Sequence, residues 1–109
     1  MSAPVTVNEV RLRGRLVAPA AERVLPDGKV LVDFRLVVAR PDGKTVDTFD
    51  IVTTGSATKR VAKLSHVDDT VEVTGSLRRR FWRGPAGVTS RYEVDAAVVR
   101  RIPRRSVTA

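Results

Sequence analysis

Hydrophobic and polar positions alternate along most of the chain, and the alternation marks strands. Over residues 5–17 the period is two: Val10, Leu12, Gly14 and Leu16 fall on one face, and Arg11, Arg13 and Arg15 on the other. This predicts a long, half-exposed first strand. Gly14 within it predicts a bend or bulge, as a small barrel needs where a strand turns a corner. Residues 18–21 read as a loop, and Arg23-Val24-Leu25 leads into the turn Pro26-Asp27-Gly28-Lys29. A second strand over residues 30–39 points Val30, Val32, Phe34, Leu36 and Val38 one way, and Asp33 and Arg35 the other. Pro41-Asp42-Gly43-Lys44 then turns into a third strand over residues 45–53. Its alternation is poor and leaves the direction of Phe49 open.

The period changes at residues 55–64, where Ala57, Val61 and Leu64 recur at helical spacing and Ser56 is placed to cap. Val67-Asp68-Asp69 turns the chain into a fourth strand. There Val71, Val73, Gly75 and Leu77 share one face, and Ser76, Arg78, Arg80 and Trp82 the other. Gly84-Pro85-Ala86-Gly87 is the next turn, and a fifth strand over residues 91–99 carries Tyr92, Val94, Ala96 and Val98 in phase. Three strands, a helix and two strands predict an all-β fold: a five-stranded OB-fold barrel with one short helix between strands three and four. An SH3-like barrel is the rival, but it does not normally carry a mid-chain helix. Closure would also spare so small a chain long exposed edges. The 109 residues make one domain, with a core over 5–102 and a short basic tail over 103–109.

Charge sharpens this picture. The net charge is +8, and residues 78–109 hold 9 basic side chains against 2 acidic ones, whereas residues 1–77 hold 11 against 10. The excess therefore sits on the Trp82 hairpin and the residues C-terminal to it, which favours a polyanionic partner. Arg78-Arg79-Arg80-Phe81-Trp82-Arg83 places four arginines beside the one tryptophan. Cations attract phosphates, and an aromatic face offers a base a stacking platform. The competing reading is a solvated arginine run beside a tryptophan used for packing. The arginines of the first strand have the same two readings, a phosphate track or solvated strand charges. Arginine outnumbers lysine 16 to 4; its planar fork suits phosphate and stacks on bases, although codon composition explains the bias equally well.

Other chemistry finds little support. There is no cysteine, and His66 is the one histidine, so thiol catalysis and histidine-rich metal sites are excluded. The paired acids Asp68-Asp69 and Asp47/Asp50 have nothing nearby to complete a site. No phosphate-binding loop of the Gly-x-x-x-x-Gly-Lys type occurs. The expectation is a non-enzyme with no catalytic residue, metal, cofactor or small-molecule substrate. No apolar run is long enough to span a bilayer, so a cytoplasmic location without membrane contact is expected.

These residues resemble bacterial single-stranded-DNA-binding proteins. Val7-Asn8-Glu9-Val10-Arg11-Leu12-Arg13-Gly14-Arg15-Leu16 is similar to the family's opening Val-Asn-x-Val-x-Leu-x-Gly-x-Leu. Pro26-Asp27-Gly28 and Phe34-Arg35-Leu36 come next in order. Val71-Glu72-Val73-Thr74-Gly75-Ser76-Leu77-Arg78-Arg79-Arg80-Phe81-Trp82 resembles Val-x-Val-x-Gly-x-Leu-x-x-Arg-x-Trp. The resemblance implies that Trp82 stacks on bases and that Phe49 matches a second stacking tryptophan. It also implies a homo-oligomer, typically a homotetramer built from dimers paired through the first strand, with Val5, Val7, Val10 and Leu12 at the interface. Three departures stand out. Aromatics expected near Arg40-Pro41 and Gly55-Ser56 are missing, the loop over residues 41–44 is short, and the acidic C-terminal tip that recruits replication and repair proteins has no counterpart here, whether by truncation or divergence.

The expected function is thus largely sequence-independent binding of single-stranded DNA in replication, recombination or repair. Trp82 and Phe49 would stack on bases, and Arg78, Arg80, Arg83, Arg35, Arg11, Arg13 and Arg15 would meet phosphates. Two alternatives stay open at this point: an OB-fold docking module of a primosome-type replication complex, and an RNA-binding OB protein.

Overall fold

The computed structural model describes residues 5–103; the basic tail expected over 103–109 lies outside them but for residue 103. Six strands and one helix follow in chain order: β1 Val10–Leu16, β2 Ala21–Val24, β3 Val30–Ala39, β4 Val46–Thr53, α1 Ser56–Leu64, β5 Thr70–Gly84 and β6 Gly87–Ile102. They pair in the order β1-β5-β6-β4-β3-β2. β1 also meets β3, with Arg15 opposite Val37 and Leu16 opposite Leu36. The pairings therefore return on themselves through β1, β5, β6, β4 and β3, and β2 lies outside β3.

Inward alternation builds the core. Val32, Phe34 and Leu36 of β3 meet Thr53, Ile51 and Phe49 of β4, and Val71 and Val73 of β5 lie opposite Gly14 and Leu12 of β1. Val32, Phe34, Leu36, Ile51, Val71 and Val73 form one apolar cluster with Leu16, Val94, Ala96 and Val99, with Ala62 of the helix packed into it. Two glycines allow the close approaches. A side chain at Gly14 would clash with the Val37 carbonyl, and one at Gly75 with the Asp95 carbonyl.

The structure corrects the expected elements in five places. The chain has six strands rather than five, because Ala21–Val24 pairs with β3 across the Gly28 turn. Four residues between two prolines are too few to show a period. The first strand starts at Val10, not residue 5; Val5 and Val7 precede it with exposed side chains. Ser56 does not cap the helix. Gly55 occupies that position without a side-chain bond, and the Thr58 hydroxyl donates to the Gly55 carbonyl instead. The helix buries Ala62, with Val61 half-buried and neighbouring Ser65 buried, and leaves Ala57 and Leu64 exposed. Finally, Thr74 faces Val98 while Gly75 faces Ala96, so Ala97 is an extra residue that shifts the phase of β6. Val99 is buried and Val98 exposed in consequence, whereas Tyr92 keeps the phase of Val94 and is exposed because it lies beyond the barrel's pairings.

Candidate nucleic-acid interface

β5 and β6 are much the longest strands, at 15 and 16 residues, joined by the two-residue turn Pro85-Ala86. Partners leave them well before the tip. β1 pairs with β5 only as far as Gly75, and β4 pairs with β6 only at Val94 and Asp95. Beyond these limits the hairpin is a two-stranded arm, consistent with a longest molecular dimension of 55 Å. An isolated hairpin is marginal in water. Here side-chain pairs on both of its faces brace it.

On the outer face, register sets Arg78 opposite Glu93, Arg80 opposite Arg91 and Trp82 opposite Thr89. The Arg80 guanidinium lies 5.6 Å from the Trp82 ring centroid, a cation–π contact that holds the indole in place. Trp82 remains 42% exposed. Glu93 is only 7% exposed, beneath Arg91 at 3.3 Å and Arg80 at 3.8 Å, and Arg78 pairs with Asp95 at 3.4 Å. Arg78 and Arg80 join Asp95, Glu93 and Val52 around one small cleft.

A second cleft, of about 270 Å³, continues this surface across β2, β3 and β4. Arg23, Asp33, Arg35, Asp50 and Arg91 line it, with Ala18 and Pro19 at its edge. Arg35 donates to Asp50 at 3.0 Å, and Arg23 pairs with Asp33 at 3.2 Å. Even so, Nε of Arg23, Arg80 and Arg91 and Nη2 of Arg23 have no hydrogen-bond acceptor. Guanidinium carries five donors, so a neighbouring carboxylate does not exhaust it.

The structure brings Trp82, Arg78, Arg80 and Arg35 onto this one surface, but not every expected residue. Phe49 lies opposite Leu36, half-buried against the core on the inward face of β4, away from the outer face that carries Trp82. Arg11 and Arg13 gather with Arg100 around Glu72, at 3.4, 2.7 and 3.4 Å, and Arg15 pairs with Asp68. The Arg13 hydrogen bond, with Arg11 adding its charge, holds the Glu72 carboxyl below the usual glutamate range against the opposing effect of burial. Val10 and Leu12 pack against the core, whereas Val5 and Val7 are free. Arg83 forms no ion pair among the described residues.

Arg23 and Arg91 are members of the surface that pattern reading did not single out. For Arg91 a signal exists, because counting outward from the Pro85-Ala86 turn sets it opposite Arg80. For Arg23 none does, since β2 itself is not visible as a strand.

Among the described residues no helix is long and apolar enough to cross a membrane. No curated relative matches the chain. A solved structure of similar fold is described as the Plasmodium falciparum SSB complex with ssDNA. It has 18% identity and a TM-score of 0.75, covering 94% of this chain and all of that one. This likeness bears on the fold, which is OB-like. The sequence model of the Single-strand binding protein family matches residues 7–102, nearly the whole chain, and the protein belongs to that family.

Proposed function

We propose that the protein binds single-stranded DNA without catalysis and with little sequence preference, along the outer face from the Arg23–Arg35–Arg91 cleft to Trp82. One observation carries the reading: the half-exposed Trp82 ring, steadied by Arg80, is continuous with a cleft lined by three arginines. Bases stack on Trp82, and phosphates meet Arg35, Arg78 and Arg80, with Arg83 reaching them from the arm's other face near its tip. Arg11, Arg13 and Arg15 serve as outlying phosphate contacts for a longer strand. Coating competes with base pairing, which suits roles in replication, recombination and repair, in the cytoplasm.

In this reading the ring of strand pairings is a closed five-stranded OB barrel with β2 added outside. The protein is also a homo-oligomer, with a tetramer built from two dimers favoured. The far edge of β1 from Val10 to Gly14 has no strand partner among the described residues, because its contact with β3 begins at Arg15. An open edge preceded by the exposed Val5 and Val7 is suited to pairing with a second copy.

The test is a titration of Trp82 fluorescence with oligothymidylate at several salt concentrations, with duplex DNA as competitor. The expected result is quenching that duplex does not reverse, with a log–log salt slope of roughly −0.7 per phosphate contact. Trp82→Ala should cost about 1–3 kcal/mol of affinity. Binding without quenching would remove Trp82 from the site, and no binding at moderate salt would refute the proposal.

A further inference from the structure

The arm has a second face, and its chemistry differs from the first. Leu77, Arg79, Phe81 and Arg83 alternate onto it from β5, and Val88, Ser90 and Tyr92 face them from β6. Arg79 lies 4.8 Å from the Phe81 ring centroid and 5.3 Å from that of Tyr92, so one guanidinium is bracketed by two rings. Ser90 fixes it from across the ladder, accepting from Nε at 3.2 Å and Nη2 at 3.0 Å. Among the described residues the remaining donors of the fork have no acceptor. Phe81 and Tyr92 are each 58% exposed.

Charge separates the two faces. On the outer face Arg78, Arg80 and Arg91 each have a carboxylate partner, from Asp95 or Glu93. On the second face no acidic residue is present, and neither Arg79 nor Arg83 forms an ion pair among the described residues. The aromatic distribution points the same way. The chain has five aromatic residues, and three of them stand on this arm, all substantially exposed. Bracing a two-stranded ribbon requires cross-strand pairs, but not two large rings left mostly in water beside an uncompensated cation.

We infer that the Arg79–Phe81–Tyr92 face is a second stacking and phosphate-contacting surface for single-stranded DNA, so that the arm is gripped on both sides by one strand. The inference rests on the single-strand-binding reading of Trp82 and extends it. Uncompensated arginine supplies the attraction to phosphate, and each ring, beside Arg79, keeps more than half of its surface open to a base. The arm is two strands wide, with ~4.8 Å between them. A strand leaving Trp82 therefore has only a short path, around the arm's open edge or its tip, to the second face.

The experiment compares the parent protein with F81A/Y92A, whose altered side chains are exposed and outside the core. Each is titrated with a short oligothymidylate, near the lower end of the ~4–16 nucleotides per OB fold, and with one several times longer. Parent protein should bind the longer oligomer more tightly and occlude more nucleotides. The double variant should lose on the order of tenfold in affinity for the long oligomer, and occlude fewer nucleotides, while Trp82 quenching by the short one is retained. Arg79→Ala should reduce long-oligomer affinity and flatten its salt slope by roughly 0.7. Photo-crosslinking with an iododeoxyuridine-substituted long oligomer should label Tyr92.

Unchanged long-oligomer affinity and site size in F81A/Y92A would overturn the inference. So would equal losses with both oligomers, which would make the rings mere props for the arm. A smaller assembly of the double variant by light scattering without DNA would overturn it by assigning the face to a contact between copies. Absence of Trp82 quenching in the parent protein is a different failure, because it removes the outer-face reading on which this one stands.

Discussion

The carboxamide of Asn8 bonds both backbone groups of Leu77. Its Nδ2 donates to the Leu77 carbonyl at 2.8 Å, and its Oδ1 accepts from the Leu77 amide at 2.8 Å. One side chain thus supplies the pair of bonds that a neighbouring strand would have made. It does so where β1 has stopped pairing with β5, one residue before the arginine run begins. Asn8 thus braces the base of the arm against the segment that leads into β1, and so links the arm's stability to its orientation.

Asn8→Ala should therefore cost about 0.5–1.5 kcal/mol, the net value of hydrogen bonds at a solvent-accessible site. The cost should be concentrated at the arm's base. Hydrogen exchange is the discriminating measurement: the Leu77 amide should lose protection while core amides such as that of Val73 keep theirs. Uniform loss across both would mean that Asn8 supports the whole fold rather than the arm.

Gly75 is the backbone counterpart of this joint. It faces Ala96 at the bulge, and a Cβ there would meet the Asp95 carbonyl oxygen, with the carbonyl carbon at 2.8 Å and Ala96 Cα at 2.9 Å. These are backbone atoms in a paired strand and have little room to move. Gly75→Ala should destabilise by at least ~2 kcal/mol, a drop of roughly 10 °C in Tm. Thermal denaturation checks it, and a parent-like Tm would show that β6 can shift at the bulge.

Much of this was legible in the sequence, for identifiable reasons. Alternation from Val71 to Trp82 is long enough to place Trp82 on the face of Arg78 and Arg80, and the structure keeps that register. The same argument fails on β4. Ile51, Val52 and Thr53 are all buried, Val52 on the outer face beside Arg78 and Arg80, so the alternation that would have turned Phe49 inward is erased. Ala97 carries no mark of a bulge, and a single extra residue exchanges Val98 for Val99 in the core. Nor does a lone strand show which acids neutralise its arginines. Asp95 and Glu93 compensate Arg78 and Arg80 only once the hairpin register sets them opposite.

Glu72 predicts a pH dependence. It is 7% exposed beneath Arg11, Arg13 and Arg100. Its folded pKa lies below the ordinary 4.5, chiefly through the Arg13 hydrogen bond. A depressed carboxyl pKa stabilises the fold above the unfolded value, and that contribution disappears as pH falls through the folded value. Glu72→Gln should therefore lower Tm at neutral pH, leaving three guanidinium groups without their shared carboxylate. The gap between variant and parent should narrow as pH drops below 4.5. A gap that stays constant down to acid pH would show that packing, not charge, holds this cluster.

The last prediction concerns the acids on the outer face itself. Asp95 is paired with Arg78 at 3.4 Å and is partly exposed, at the edge of the cleft beside Val52. If Arg78 meets a phosphate, Asp95 competes with that phosphate for the same guanidinium and repels it as well. Asp95→Asn keeps the side chain's size and removes both penalties. Exposed ion pairs are worth about 0.2–1 kcal/mol, so affinity for oligothymidylate should rise by that amount, about 1.4- to 5-fold, with a steeper salt slope. Fold stability should change little. Weaker binding would reverse the argument: Asp95 would then be positioning Arg78 for the strand, and the carboxylates beneath the arginines would belong to the binding surface rather than oppose it.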